Sequence, residues 1–491
     1  MKTRLLVFLL IAFLFEVTHA QVENENTLRW FRGGTVNMDF SFRTDLFCGI
    51  GSKVHLGSGS MGSDASSIFW NPAALAFKNN RQVLLTFLPR LSLYVANWYD
   101  IPGEVQSTID NAIADYRLDD TEVVYPTVTP VLYHRGSINT GIITTPIHKW
   151  GKNTVIGFGY SRALEMQFHL IGNGLSSLLE TRKEVGTQTM VVKFRNQIDM
   201  NIEMRSTINR FSFAAAKKWL PQFAIGITID RYFGEVYFNG KFMIDGIMET
   251  AGSEFAFNDP YDQHINFEEG EQNTLNQSIF TSFKGKGWGF KIGADYKLNK
   301  YISFGSMIEI VPSMSFKGQM DVNQNIIPAL NGDALVGDSD EEIMDPAKLD
   351  LAKLTLTVPY DNPTDDMLKI RLPSSFNLGI NYRWRFMTGS LNWTSYFSEF
   401  SYETLGTSRG AKLKWALKKG FDLKYIQVGL GIIALDEICK GTDNDGDAAI
   451  NIIIPQLSLG TGFSINRFTR TETLAFLAPT PVFKQVLLFT F

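Results

Sequence analysis

The chain has 491 residues, with 46 Lys and Arg against 50 Asp and Glu, which gives a formal net charge of -4 at pH 7. This balance argues against nucleic acid as a partner, because proteins that bind it present a basic surface. Hydrophobic residues make up 44% and aromatic residues 13% of the sequence, yet beyond Phe15 no apolar run reaches the ~18 residues of a membrane helix. The composition leaves two classes, a soluble β-rich protein and a membrane β-barrel, in which lipid-facing and lumen-facing residues alternate.

Residues 1–20 have the order of a secretory signal peptide. Basic Lys2 and Arg4 precede the apolar run Leu5 to Phe15, and the segment ends on the small residue Ala20. The apolar run is about half the ~20 residues that a transmembrane helix needs, so a membrane anchor is the weaker alternative. We therefore expect export of a mature chain that begins near residue 21.

A small-residue segment, Gly57 to Phe77, precedes the first strand pattern. Its Asp64 is placed to cap a short helix, because a side-chain oxygen at that position accepts backbone N–H groups. Asn71 is followed by Pro72, and a residue before proline is pushed out of helical geometry. The sequence thus predicts a compact turn of helix that stops at Asn71-Pro72-Ala73.

From Arg81 onward, strand-like segments are joined alternately by short and long connections. The short turns include Lys149 to Asn153, Lys218 to Pro221 and Asn299-Lys300, while the connection from Asp321 to Asp366 is long. Transmembrane barrels have tight turns on the periplasmic side and long loops outside. We predict about fourteen antiparallel strands closed into one barrel, with these short turns at one end.

Three further elements are predicted within this pattern. A helix-like stretch lies near Glu104 to Tyr116, and a tight turn is expected at Lys419-Gly420. The tail from Thr471 to Phe491 is expected to form two short strands broken at Ala478 to Pro481. A terminal aromatic residue of this kind is typical of outer-membrane barrels.

The motif Asp64-Ala65-Ser66, followed by Asn71-Pro72-Ala73, resembles the segment ahead of the barrel in the FadL family of outer-membrane transporters. The resemblance implies a plug at residues 21–80, a barrel at 81–491 and passive uptake of hydrophobic compounds such as long-chain fatty acids. It also implies capture of the ligand in an extracellular apolar groove and sideways release into the membrane. Two interpretations of the plug motif Asp64, Asn71, Pro72 and Ala73 remain open, a helix stop that joins plug to wall and a gate that moves.

Sideways release requires a break in the barrel wall. Proline removes a backbone donor and glycine weakens a strand interior, so the candidates are Pro146, Gly157 and Gly159. The alternative is that the two glycines ease curvature or pack beneath a bulky neighbour.

The oxygen-rich run Asp443, Asp445 and Asp447 could bind a cation such as Ca²⁺, but it lacks the distal glutamate of an EF-hand loop. A solvated turn is the favoured interpretation. Cys48 and Cys439 could form a disulfide or remain as two thiols in an oxidising compartment.

The expected partners are outer-membrane lipid and a hydrophobic small molecule, with no nucleic acid, no cofactor and a monomeric state. An enzyme is not expected, since an outer-membrane phospholipase needs Ser, His and Asn side chains together and no local pair indicates them. A second alternative is a barrel that docks a partner in protein export or surface attachment, and a sealed lumen would favour it.

Overall fold

The computed structural model describes most of the barrel strands and part of the segment that precedes them. The described residues are 27–31, 33–44, 64–78, 80–95, 100–113, 124–147, 153–185, 188–252, 264–265, 274–311, 313–326, 354–358, 368–404, 407–423, 425–438, 452–477 and 481–491. The predicted signal peptide, both cysteines and the candidate cation ligands Asp443, Asp445 and Asp447 lie outside them.

Strands dominate the described residues, with two short α-helices and one 3₁₀ turn. In chain order the elements are β1 Thr27–Phe31, β2 Thr35–Thr44, α1 Ser67–Trp70, the 3₁₀ turn Pro72–Phe77, β3 Gln82–Leu88, β4 Leu91–Tyr94, α2 Ile101–Ile113, β5 Thr127–His134, β6 Ser137–Ile147, β7 Thr154–Val185, β8 Gln188–Leu220, β9 Phe223–Gly252, β10 His264–Ile265, β11 Thr274–Lys297, β12 Ile302–Ile310, β13 Met314–Ile326, β14 Leu354–Val358, β15 Leu368–Arg371, β16 Ser375–Arg383, β17 Met387–Tyr396, β18 Phe400–Thr404, β19 Thr407–Leu423, β20 Ile426–Ile438, β21 Ile452–Ser464, β22 Thr469–Phe476 and β23 Val482–Thr490. Among the described residues, no helix is long and apolar enough to span a membrane.

The strands close into one antiparallel ring. Along the chain the ring runs β3, β6, β7, β8, β9, β11, β12, β16, β17, β19, β20, β21, β22 and β23. It closes because β23 pairs with β3, Thr490 opposite Gln82. The prediction of a 14-strand closed barrel is confirmed.

The described parts of the three predicted short turns lie at one end of this ring, while residues 149–152 of the first turn are outside the described residues. The backbone N–H of Lys218 donates to the carbonyl of Asn153 at 3.1 Å, and that of Lys297 donates to Gln222 at 2.8 Å. The N–H of Phe491 likewise donates to the carbonyl of Arg81 at 2.9 Å. Exposed aromatic residues collect at this end, namely Trp219, Tyr301, Trp384, Phe386, Tyr425 and Phe468. Such a girdle is typical of a membrane–water interface.

Outward and inward residues alternate along the strands. On β9, Ile225, Ile227 and Ile229 are exposed, whereas the intervening Thr228 and Asp230 are buried. Neighbouring strands expose further large apolar side chains at the same level, among them Phe211, Phe213, Trp288, Phe290 and Ile292. An outward apolar band on a closed barrel is the signature of a protein that spans the outer membrane with strands. The chain is an outer-membrane β-barrel, as its sequence predicted.

One ladder departs from the simple ring. The β6–β7 pairing ends at Thr140 opposite Ser161. Beyond it β7 pairs with β2, Leu164 opposite Thr44, and β2 pairs in parallel with β5 on its other side. A strand that precedes the buried helices in sequence therefore forms part of the wall.

Three neighbouring strands are interrupted at one level. β12 and β13 are separated by residues 311–313, β15 and β16 by 372–374, and β17 and β18 by 397–399. Ser374 joins the three interruptions, since its hydroxyl accepts from Val311 N at 2.9 Å, its N–H donates to Ser398 Oγ at 2.7 Å and its carbonyl accepts from Phe397 N at 3.1 Å.

Two local predictions, a helix near Glu104 and a tight turn at Lys419-Gly420, had different outcomes. A helix occurs at Ile101–Ile113, within three residues of the predicted start. The predicted turn at Lys419-Gly420 was wrong, because β19 continues through both residues and Gly420 pairs with Gly429 of β20. The sequence analysis interpreted Gly420 as a turn residue, whereas in the structure it lies inside an unbroken strand ladder.

Candidate functional site

The segment 64–78 forms two short helical pieces joined at an extended residue. Asp64 Oδ1 accepts the backbone N–H of Ser66 at 2.8 Å, so Asp64 orders the entry to α1 although Ser66 holds the cap position. The helix ends at Asn71, which has φ -158° and ψ 98°. The 3₁₀ turn then begins on Pro72, whose fixed φ suits a first helical position.

This segment lies against the inner wall of the barrel. Asn71 is 1% exposed, and Ala73 and Ile68 are fully buried. The 3₁₀ turn packs against β8, β9 and β11, on the face of those strands opposite the exposed Ile225 and Ile227. The motif residues Asn71, Pro72 and Ala73 thus meet at the inner wall of the barrel, and Asp64 is buried at the start of the same segment.

Two paired glycines provide the seat for the motif. Gly226 of β9 lies directly opposite Gly293 of β11 in the ladder. A Cβ on Gly226 would lie 2.5 Å from Ala73 N, and a Cβ on Gly293 would lie 3.1 Å from both Asn71 Cγ and Pro72 Cδ. Only glycine leaves room there, because contacts this short displace the neighbouring atoms. We call this pair the lower glycine notch.

Hydrogen bonds fix the motif in the lower glycine notch. Asn71 Nδ2 donates to the carbonyl of Ala294 at 3.0 Å, while Asn71 Oδ1 accepts from Ala73 N at 3.1 Å. The same side chain therefore caps the 3₁₀ turn and ties it to β11. The hydroxyl of Thr228 donates to the carbonyl of Ile68 at 3.2 Å, which adds a bond to β9.

The candidate wall-break residues lie in a continuous ladder. Pro146 pairs with Val155, and Gly157 and Gly159 pair with Thr144 and Ile142 without a register shift. Both glycines are buried beneath the segment, since a Cβ on Gly159 would lie 2.9 Å from the ring of Phe69. The structure therefore agrees with packing beneath a bulky neighbour. The separation of β6 from β7 begins just beyond, at Thr140 and Ser161.

A charged cluster lies next to the segment on the inner wall. Lys291 pairs with Asp230 and lies 3.1 Å from Glu309, and both Lys291 and Asp230 are fully buried. Arg210 lies 3.8 Å from Glu309. These two cations and two carboxylates leave the cluster without net charge. Such a cluster compensates the cost of burying charge in a lumen.

Arg210 connects the charged cluster with both the segment and the wall. Its guanidinium lies 4.5 Å from the centre of the Phe69 ring, a cation–π contact. Its Nε donates to Ser161 Oγ at 3.1 Å, and Ser161 forms the last β6–β7 pair. The residue that ends the ladder is thus bonded to the residue that contacts the buried segment.

Apolar side chains on the inner wall form three clusters. Residues of β9 belong to all three, so the clusters can be followed along this strand from the end with the short turns outward. The lower cluster includes Ala224 and the segment residues Ile68 and Phe69. The middle cluster includes Tyr232, Val236 and Phe316. The upper cluster includes Phe238, Phe242, Met38, Phe40, Leu132 and Leu170. An apolar lining therefore runs along the inner face toward the buried segment.

The outer face of the wall carries a groove of about 610 Å³ beside the end of the β6–β7 ladder. Gly141 forms part of its floor, and its walls include Leu85, Phe158 and Phe213. A Cβ on Gly141 would lie 3.7 Å from Leu85 Cδ2, so the floor is open because this residue has no side chain. The groove is apolar and faces the lipid side of the barrel.

A serine and a histidine also meet in the wall. Ser41 Oγ lies 2.9 Å from His134 Nδ1, and His134 Nε2 lies 3.1 Å from the carbonyl of Pro481. The two residues are 93 positions apart, so no local pattern could reveal them. They resemble a nucleophile–base pair, but both are buried, and the pair joins β2 to β5.

The lower glycine notch, Arg210 and Lys291 were missed by the sequence analysis. Lys291 and Asp230 carried a signal, because charged residues at the inward positions of otherwise apolar strands indicate a paired luminal cluster. The glycines carried none, since the 41 glycines of the chain look alike in sequence.

No protein-family model and no curated protein matches the sequence. Solved structures similar to the chain include a FadL homologue from Pseudomonas aeruginosa, at 13% identity and a TM-score of 0.44, covering 89% of this chain and 95% of that one. The Ralstonia pickettii toluene transporter TbuX has 9% identity, a TM-score of 0.37 and coverage of 90% and 96%. The Pseudomonas putida toluene transporter TodX has 9% identity, a TM-score of 0.39 and coverage of 89% and 99%.

At these identities and TM-scores the similarities assign no function to this chain. The assignment of a β-barrel fold rests on the strand pairing described above. The chain is an outer-membrane β-barrel that holds a buried helical segment in a paired-glycine notch of its inner wall.

Proposed function

We propose that this barrel carries hydrophobic compounds, such as long-chain fatty acids, passively across the outer membrane and releases them sideways through its wall. The observation that carries the proposal is the apolar groove on the lipid-facing surface, which lies over the last pairs of the β6–β7 ladder, next to the point where the two strands separate. A water-filled channel needs no such groove, whereas an apolar molecule that leaves through the wall gains from an apolar surface on its way into lipid.

The inner face of the barrel supports movement of an apolar compound from the outer end toward the buried segment. The upper and middle apolar clusters line the wall from the outer end toward the buried segment. Along this lining the charged groups Lys291, Asp230, Glu309 and Arg210 are compensated by one another. An uncharged or amphipathic molecule therefore meets apolar surface without displacing an isolated charge.

We assign the segment 64–78 to the predicted plug of residues 21–80 and propose that it controls access. Its seat is compatible with movement, because the segment meets Gly226 and Gly293 through packing contacts. Two side-chain hydrogen bonds tie it to the wall, from Asn71 Nδ2 to the Ala294 carbonyl and from the Thr228 hydroxyl to the Ile68 carbonyl. Arg210 would transmit a shift of Phe69 to Ser161 at the end of the β6–β7 ladder.

Filling the groove tests the proposal. In Gly141→Leu, the added side chain occupies the floor of the groove on the lipid side, where a Cβ meets only ordinary contacts. Uptake of a labelled long-chain fatty acid and a labelled aromatic hydrocarbon should fall toward that of cells without the protein. The matched control is Ala475→Leu on β22, outside the groove and on the same outward face, for which uptake should be unchanged.

Equal uptake of both probes by cells with and without the wild-type protein would contradict transport. That result would favour a barrel that docks a partner in protein export or surface attachment.

A further inference from the structure

The outward face of β11 changes from apolar to cationic at one level. From the end with the short turns, its exposed residues include Tyr296, Phe290 and Trp288, and then Lys286 and Lys284. Lys286 lies ten residues beyond Tyr296. At ~3.3 Å per residue and a tilt of ~40°, ten residues rise roughly 25 Å, the height of the apolar band of a membrane barrel. Because short turns lie on the periplasmic side, Lys286 lies at the boundary of the outer leaflet.

Further outward cations lie on the strands beside Lys284 and Lys286. In the β11–β13 ladder, Lys284 is directly opposite Lys317, and Lys286 is opposite Ser315. Ser315 is in turn opposite Lys369 of β15. We call this surface the cationic patch, and its members, all exposed or half-buried, are Arg231, Lys284, Lys286, Lys317, Lys369 and Arg371.

Positive charge dominates the cationic patch. Lys284 and Lys317 face each other across a ladder, and like charges directly opposite repel. Among the outward positions of 231–235, 284–288, 313–317 and 369–371, Glu235 is the one carboxylate, and it pairs with Lys284 in the β9–β11 ladder. Six cations against one carboxylate create a positive potential that attracts an anion from outside the chain.

Arg231 is seated on aromatic rings at the edge of the cationic patch. Its guanidinium lies 4.5 Å from the centre of the Trp288 ring and 5.3 Å from that of Phe233. Both rings are exposed, as is typical of aromatic residues at a membrane–water interface. A guanidinium stacked on a ring keeps its N–H groups for a planar anion or a phosphate. This arrangement fits a ligand with an anionic head and an apolar body.

The outward face of β21 is apolar over the same height. Its exposed residues include Phe463 at the end with the short turns, then Leu459, and Ile453. Ile453 lies ten residues beyond Phe463, as Lys286 lies ten residues beyond Tyr296. The cationic patch is therefore a feature of one sector of the ring, which favours a localised lipid site over a uniform attraction around the barrel.

We propose that the cationic patch binds the phosphate groups of lipid A, the phosphorylated glycolipid of the outer leaflet. Lysine and arginine bind phosphate through charge-assisted hydrogen bonds. The acyl chains of the same molecule lie below the patch, on the apolar surface of Trp288 and Phe290. A ligand that binds only the folded barrel stabilises it, so this lipid anchors one sector of the wall in the outer leaflet. The inference is independent of the proposed transport function.

Titration of the purified full-length barrel with lipid A in detergent, read by native mass spectrometry, tests the inference. In the triple variant Lys284→Gln, Lys286→Gln, Lys317→Gln, binding should weaken at least about tenfold, because each cation near the lipid surface contributes to the attraction. The corresponding triple Lys→Arg variant should bind lipid A as the wild type does. The matched control removes three exposed cations at the end with the short turns and should leave binding unchanged: Lys217→Gln, Lys300→Gln, Arg385→Gln.

Lipid A from which the phosphates have been removed should bind the wild-type barrel about as weakly as intact lipid A binds the triple Gln variant. Inorganic phosphate at equal concentration should not displace intact lipid A. Equal affinity for the two lipids, displacement by inorganic phosphate, or an equal loss in the control variant would overturn the inference. The wild type alone gives a further test that needs no variant to fold. Its affinity should fall as salt is raised, because salt screens exposed charges, and an affinity independent of salt would also overturn the inference.

Discussion

Two glycine notches occur in the same β9–β11 ladder and are filled from different sources. In the lower glycine notch, Gly226 and Gly293 receive Asn71 and Pro72, which belong to a segment outside the wall. Further along the ladder, Gly234 lies opposite Gly285, and we call this pair the upper glycine notch. It is filled by the ring of Phe316, whose residue pairs with Gly285 across the β11–β13 ladder.

The difference separates a permanent contact from a removable one. The backbone of Phe316 is fixed by the β11–β13 ladder, so Phe316 stays beside the upper glycine notch as long as the wall is intact. The segment with Asn71 is joined to the wall by side-chain packing and a few hydrogen bonds. A cross-strand glycine pair thus has two uses in this barrel. The upper glycine notch is filled by the wall itself, and the lower glycine notch is a seat for a separate segment.

The largest expected effect comes from the ion pair that lies between the two notches. Lys291→Met leaves the fully buried Asp230 without its cation, which costs about 3–5 kcal/mol of unfolding free energy. Urea unfolding of the reconstituted barrel measures this loss. The double variant Lys291→Met, Asp230→Leu removes both charges and should regain most of the stability. A single variant as stable as the wild type would contradict the role of the pair.

A methyl group in each notch should have distinct consequences. Gly293→Ala brings a Cβ to 3.1 Å from Asn71 Cγ and Pro72 Cδ, so we expect the segment to leave its seat and become sensitive to protease while the barrel stays folded. Gly285→Ala brings a Cβ to 2.6 Å from Phe316 Cγ, so we expect a loss of about 1–3 kcal/mol in barrel stability with the segment still protected.

Limited proteolysis and urea unfolding of the two variants make the comparison directly. If both substitutions released the segment equally, or neither did, the distinction between a removable and a permanent filling would fail.

The smallest effect is expected for the side chain that joins the segment to β11. Asn71→Ala loses the bond to the Ala294 carbonyl and the cap on Ala73 N, and loss of such a cap costs about 0.5–2 kcal/mol. Because this acts on the segment alone, protease sensitivity of residues 64–78 should rise with little change in urea unfolding. Asn71→Ser retains a capping hydroxyl but is too short to reach Ala294, so its sensitivity should fall between the two. A large loss of barrel stability in either variant would place Asn71 in the wall's own framework.

Much of the barrel could be predicted from the chain alone, because its signals are local. Strands alternate apolar and polar residues at a period of two, and short turns alternate with long connections, so the strand number and the position of the turns follow without any distant contact. The stop at Asn71 is equally local, since proline acts on the residue directly before it. The turn expected at Lys419-Gly420 was wrong because one glycine is compatible with both a turn and a strand interior.

The site itself depended on register between strands that lie far apart in sequence. The sequence could present Gly226 and Gly293 only as two glycines in two strands, and their pairing is fixed by the alignment of β9 with β11. The insertion of β2 between β5 and β7, and the meeting of Ser41 with His134, likewise have no local signal. Periodicity determines which face of a strand is apolar, whereas only the closed tertiary structure decides which strand lies beside it and which side chain fills the space a glycine leaves.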